Sequence, residues 1–154
     1  MIILCVDYGD ARTGVAISDA TGLLAGFTTV INAYRPEQVA QGVARLAKEY
    51  GAEELVLGYP KNMDGTLGPR AEKCAALGEI LQETTGLPLV LWDERRTTVS
   101  AAAILADNDT FGAKRKERLD SVSAAVILES FLNWRAHHPD EEPPEMLRPQ
   151  PAEV

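Results

Sequence analysis

A chain of 154 residues with 45% hydrophobic and 25% charged side chains is sized for one domain, able to bury roughly 70% of the surface of its unfolded state. No run approaches the roughly 20 apolar residues that a membrane-spanning helix needs, and no basic stretch precedes the apolar N-terminus, which argues against a signal peptide. A net charge of −8 argues, taken whole, against a nucleic-acid partner.

That charge is unevenly spread. Residues 139–154 carry five acids and one base, which leaves only −4 for the body. Arg12, Lys61, Arg70, Arg95, Arg96, Lys114, Arg115, Lys116 and Arg118 all fall in or beside expected loops, so a locally basic rim on an acidic body is open to the chain. Cys5 and Cys74 have no metal-ligand spacing and suit a reducing cytosol as small buried apolar residues.

Along the chain, residues 2–7 form a short apolar run bounded by turn residues, the pattern of a buried strand. Residues 13–18 follow a Gly-containing turn and are expected to pair antiparallel to the first strand. Residues 26–31 make a third strand after Thr21-Gly22. Val39, Val43, Leu46 and Tyr50 repeat at helical spacing and predict an amphipathic helix over 36–50, with Pro36 in its first turn and Gly51 as its C-terminal cap. Residues 54–58 read as a fourth strand and 59–68 as a Pro/Gly-rich loop. A second helix over 70–84 ends at Gly86 and Pro88, and 89–93 is a fifth strand. Thr97 is placed to cap a third helix reaching about residue 108. The basic run 114–118 reads as a loop, with Asp120 as N-cap of an apolar helix over 121–135. His137 and His138 have no partners at metal-ligand spacing. Five prolines and many acids in the last sixteen residues predict a disordered tail, so 1–138 is expected to be the folded domain and 139–154 the tail.

Antiparallel hairpins followed by right-handed crossovers give an α/β fold: a mixed five-stranded sheet with helices on both faces and the first strand central. Asp7 and Glu94 then lie at carboxyl ends of strands, where open α/β sheets bind ligands. Singly, each acid has an ordinary reading: Asp7 as a turn residue, Asp93 and Glu94 as a solvated charge cluster, Asp120 as a helix cap. Adjacent strand residues face opposite ways, so at most one of Asp93 and Glu94 can serve a site. Together, Asp7, Glu94 and Asp120 would suit a hard divalent cation, which takes oxygen ligands. Lys61 and Asn62 in the 59–68 loop offer polar contacts to phosphate, and the basic run beside Asp120 offers a phosphate guide.

Four segments carry a resemblance. Val6-Asp7-Tyr8-Gly9-Asp10-Ala11-Arg12-Thr13-Gly14-Val15-Ala16-Ile17-Ser18-Asp19, then Gly58-Tyr59-Pro60 with Asp64-Gly65, then Asp93-Glu94-Arg95-Arg96-Thr97-Thr98, then Lys116 followed by Leu119-Asp120-Ser121 and Ala124-Ala125, occur in that order. Over about residues 2–134 the chain resembles the YqgF family of RuvX-type proteins, described as Holliday junction resolvase-like proteins or pre-16S rRNA nucleases. The resemblance implies a ribonuclease H-like fold and cytoplasmic, Mg²⁺- or Mn²⁺-dependent hydrolysis of phosphodiester bonds, in maturation of the 5′ end of 16S rRNA. By the same resemblance Asp7, Glu94 and Asp120 are the catalytic acids and metal ligands. Arg12, Arg95 and Lys116 are their basic companions at substrate phosphates, with Arg96 beside them. RNA is favoured over branched DNA on this ground alone, and no membrane is implied.

The similarly folded RuvC resolvases carry their second acid at the end of the fourth strand, where this chain has Gly58. Here Glu94 sits on the fifth. Two strands' separation is roughly 10 Å, whereas paired nuclease metals lie about 3.5–4 Å apart, so Glu94 has to reach inward. One ion or two, and monomer or dimer, stay open. The alternatives are a Holliday junction resolvase-like DNA nuclease, an ATP-binding phosphotransferase and a non-catalytic nucleic-acid or ribosome-binding module. The phosphotransferase reading rests on Asp7-x-Gly9 with Thr13-Gly14, but such enzymes need two such domains.

Overall fold

The computed structural model describes residues 1–97 and 113–149, with backbone alone for 113–121. Six strands form one mixed sheet: β1 (Ile3–Tyr8), β2 (Thr13–Ser18), β3 (Ala25–Ile31), β4 (Glu54–Tyr59), β5 (Leu89–Asp93) and β6 (Met146–Leu147), in the order β3-β2-β1-β4-β5-β6. Among the described residues there are three α-helices, α1 (Pro36–Tyr50), α2 (Pro69–Thr85) and α3 (Ala113–His137), and one 3₁₀ turn, Glu94–Arg96. β1 pairs antiparallel with β2 and parallel with β4, and β4 pairs parallel with β5. The expected three antiparallel strands with parallel additions are therefore the observed sheet, and β1 is internal.

The helix ends follow from local chemistry. Pro36 and Pro69 stand in the first turns of α1 and α2, where a missing N–H costs nothing. Gly51 and Gly86 close the same helices in the left-handed conformation at φ 71°, each donating its N–H to a carbonyl of the last turn.

Strand alternation sorts two apolar cores. Leu4, Val6, Leu55, Leu57 and Leu89 face α1 and α2. Ile3, Cys5, Val56, Val90 and Trp92 face α3, against Leu128, Phe131 and Leu132. Both cysteines are buried and free, as expected. The Trp92 ring meets Phe131 edge-on at 5.3 Å, and its Nε1 donates to Ser130 Oγ at 3.2 Å. Ser130 Oγ in turn donates to the Arg96 carbonyl at 3.1 Å, which ties the exit of β5 to α3.

Four expectations need correction. The sheet has six strands, because residues 146–147 of the supposedly disordered tail pair antiparallel with Leu89 and Val90. Glu145 adds an ion pair to Lys61 at 3.1 Å and a carbonyl for the Leu91 N–H at 2.8 Å. Met146 and Leu147 supply the apolar surface that a composition average hid. Finally, 114–118 is not a loop and Asp120 is not an N-cap: α3 begins at Ala113, and both lie inside it. Lys, Arg, Glu and Leu are good helix formers, and nothing between Ala113 and Asp120 breaks a helix. The helix expected over 97–108 falls, after Thr97, outside the described residues, as do residues 150–154. No helix among the described residues is long and apolar enough to cross a membrane.

Candidate active site

Register decides which side chains can meet. Val6 of β1 pairs with Leu57 of β4, so Asp7 and Gly58 stand level at the carboxyl edge of the sheet, with Gly58 paired to Trp92 of β5. Asp7 has the parity of Ile3 and Cys5 and Gly58 that of Val56, which assigns both to the α3 side, and Glu94 follows β5 in the 3₁₀ turn. Asp93 has the opposite parity.

There a cleft of about 430 Å³ opens, with Asp7 and Glu94 both in its wall. Gly58 forms part of it, Ser123, Val126 and Ile127 of α3 line one side, and Arg70 and Cys74 of α2 another. Gly58 is what lets the two acids share it. A Cβ at this position would lie 2.7 Å from Glu94 Oε1, so the Glu94 carboxylate runs over a strand that has no side chain there. The absence of a side chain on β4 at this point makes room for the Glu94 carboxylate.

Burial pushes the Glu94 carboxyl above its usual range, opposed by the positive charge of Arg70, while Asp93 adds to the rise. Burial, then the charge of Glu94 and a smaller one from Asp7, drives the Cys74 thiol up to about 11, with Arg70 acting against them. Without a metal, Cys74 is therefore a neutral thiol at neutral pH. The buried Cys5 thiol is also raised well above its ordinary value, by burial first and then by Asp7 and Glu94. Both cysteines thus feel both carboxylates, which places the two acids in one electrostatic environment.

Arg70, which the sequence offered only as one base of the expected rim, is the cation in this cleft. It lines the cleft, donates from Nη2 to the Tyr8 carbonyl at 3.0 Å and pairs through Nη1 with Asp10 at 3.3 Å, its side chain still 52% exposed. The available signal was a base immediately after the proline that opens a helix.

Three of the expected companions, Lys61, Arg95 and Arg96, line a different cleft. Arg95 is locked to Asp93, Nη2 to Oδ2 at 2.7 Å and Nε to both oxygens at 3.1 Å, and this pairing holds the Asp93 carboxyl below its ordinary range. Arg96 lies 5.3 Å over the Trp92 ring, and Lys61, paired with Glu145, lies 5.5 Å over Tyr59. A separate cleft holds Lys61, Arg95 and Arg96. Asn62 closes its own turn by donating to Thr66 Oγ1 at 3.0 Å. Arg12 is half-buried where the β1–β2 turn enters β2. Asp120 and Lys116 belong to α3 by backbone, their side chains outside the described ones.

Two carboxylates with an open mouth fit a hard cation that completes its shell with water and phosphate oxygens. Among the described residues no three of His, Cys, Asp and Glu gather as a complete protein cage.

The family model described as RuvX, Holliday junction resolvase, matches residues 1–134. The chain belongs to this family. It is 44% identical over 135 residues to a Halothermothrix orenii protein named "Putative pre-16S rRNA nuclease", covering 88% of this chain and 96% of that one. Proteins of the same name from Bacillus thuringiensis and Desulfitobacterium hafniense are 42% and 40% identical, over 86% and 87% of this chain and 98% and 93% of their own length. The fold is that of Thermus thermophilus RuvC bound to a Holliday junction, with a TM-score of 0.61 over 93% of this chain and 99% of that one. At 10% identity that likeness speaks for the ribonuclease H-like fold alone.

Proposed function

We propose that this RuvX-family chain is a divalent-metal-dependent nuclease acting on precursor ribosomal RNA, with Asp7 and Glu94 as its principal metal ligands. The observation that carries this reading is the meeting of those two carboxylates in one cleft across the Gly58 gap. Oxygen donors of this kind suit Mg²⁺ or Mn²⁺, which when bound lowers the pKa of a water and neutralises charge on a phosphate. Asp120 is the proposed third ligand. It precedes Ser123 of the cleft wall by three residues in α3 and Ile127 by seven, spacings that share one helical face.

The chain's own residues have separable tasks. Asp7 and Glu94 supply negative charge at the mouth, and Glu94 gives up hydration to do so. Arg70 offers a guanidinium to the substrate phosphate at the cleft edge. Val126 and Ile127 give that edge an apolar wall, which strengthens the charge interactions within. Substrate RNA is inferred from the relatives' name, and cytoplasmic location from such a task. The family's description as a Holliday junction resolvase supports the second reading, cleavage of branched DNA.

The test pairs a precursor RNA carrying the 5′ extension of 16S rRNA with a four-way DNA junction, each incubated with Mg²⁺, with Mn²⁺ or with chelator. Metal-dependent cleavage of the RNA is expected. Asp7→Asn should keep the melting temperature within a few degrees and lose cleavage by at least about 10³-fold, as losing a metal's charge stabilisation would require. Full activity in a nuclease-free preparation of that variant overturns the reading, and cleavage of the junction alone selects the second.

A further inference from the structure

Beside the acidic cleft lies a second one of about 290 Å³, and Tyr8 and Arg70 belong to the walls of both. Tyr34, Asp10, Pro69 and Lys73 complete it. We propose that this side cleft holds an unpaired nucleotide of the substrate strand next to the scissile phosphate, with its base on the Tyr34 ring. The proposal deepens the nuclease reading and rests on it for the direction of the strand.

Three observations carry it. Tyr34 is 59% exposed and lines the cleft, and a large exposed aromatic is a stacking surface for any base. The ring's support is fixed from behind, because the Tyr8 hydroxyl donates to the Tyr34 carbonyl at 2.6 Å. That bond uses the backbone of Tyr34 and leaves its side chain for a ligand. The cations are graded along the path: Arg70 stands at the junction of the two clefts, and Lys73 follows it by three residues on the same face of α2.

Charge argues for one nucleotide held by stacking rather than for a phosphate trap. Asp10 shares the cleft and pairs with Arg70 at 3.3 Å, which offsets one of its two cations. With one of the two cations offset in this way, the pull on phosphate is modest and the aromatic wall supplies the selective contact. The volume sits just under the usual range for ligand sites, the scale of a single base rather than of a base pair. A strand entering the acidic cleft would therefore have to be single where it passes Tyr34.

Fluorescence anisotropy of the full chain in chelator, with labelled single-stranded RNA and a blunt RNA duplex as probes, separates binding from catalysis. Tyr34→Ala should weaken the single strand about tenfold and leave the duplex within twofold, and Tyr34→Phe should restore the wild-type value. Lys73→Ala should reduce the slope of log affinity against log salt by roughly 0.7 for the single strand. An unchanged melting temperature is expected for each, since both side chains are exposed. Wild-type affinity in Tyr34→Ala, or equal losses for strand and duplex, overturns the proposal. Its failure differs from that of the nuclease reading: a chain that cleaves with metal but ignores Tyr34→Ala refutes the side cleft alone. A chain that binds through Tyr34 and never cleaves refutes the nuclease.

Discussion

A carbon atom added at Gly58 would lie 2.7 Å from Glu94 Oε1 and 3.0 Å from Cδ1 of Ile127. Gly58→Ala therefore asks a well-packed point to yield on both sides, at a cost of about 1–3 kcal/mol. The protein should still fold, with Glu94 displaced from the mouth. Its affinity for Mn²⁺, measured by calorimetry, should fall about 10–100-fold, the usual effect of losing a ligand's orientation. Unchanged Mn²⁺ affinity would show that Glu94 does not hold the metal. The carboxyl of Glu94 carries a second consequence. Burial raises its folded-state pKa above the ordinary glutamate value, so the unfolded chain releases that proton first as pH rises. The metal-free protein is then stabilised by this group below the ordinary range and loses that contribution as pH climbs through the raised value. Glu94→Gln should accordingly raise the metal-free melting temperature at pH 7, and the gain should vanish near pH 4. A gain that persists at pH 4 would trace the stabilisation to something other than this charge. Asp7 could be read from its own neighbourhood, a strand end followed by Tyr8-Gly9. The role of Gly58 could not, because it depends on register between strands some fifty residues apart.

At the scale of elements, the periodic segments were legible: α1 spans the residues its apolar spacing and flanking Pro36 and Gly51 mark out, and β5 those of its apolar run. What escaped was the element whose composition argued against its structure. The run Lys114–Arg118 is charged enough to read as a solvated loop, yet each of its residues is a good helix former, and α3 extends through it. This matters for the site, since Asp120 moves from a cap to an internal position one turn before Ser123. Packing then fixes α3 against the acids. Phe131 and Trp134 flank Trp92 at 5.3 and 5.7 Å, and Ser130 bonds to both Trp92 and Arg96 around the turn that carries Glu94. At its other end Arg135 pairs with the buried Glu54 at 2.6 Å, pinning α3 to the start of β4. The helix that borders the cleft is thus anchored to the two strands, β4 and β5, that supply Gly58 and lead into Glu94. None of these contacts has a local signature, because each joins residues more than thirty positions apart.

Across the whole molecule, the match to RuvX proteins ends at residue 134, whereas the sheet continues to residue 147. Residues 146–147 therefore add to the sheet beyond the reach of the family match. β6 covers the outer edge of β5, whose N–H and C=O groups would otherwise face solvent as a template for pairing with another chain. Met146 packs with the α3-side core and Leu147 with the other, each half-buried. Glu145 ties Lys61 down, and with it the start of the loop after β4. None of these residues lines the acidic cleft. Ending the chain after Pro143 should consequently separate stability from activity. Loss of two half-buried apolar side chains and their strand bonds corresponds to about 2–3 kcal/mol, or roughly 5–10 °C in melting temperature for a chain of this size. Light scattering should show concentration-dependent association through the bared β5 edge, and metal-dependent cleavage at 25 °C should stay within about threefold. An unchanged melting temperature in the shortened protein would mean that β6 contributes nothing to the fold, and lost cleavage with an intact fold would place the tail in substrate binding.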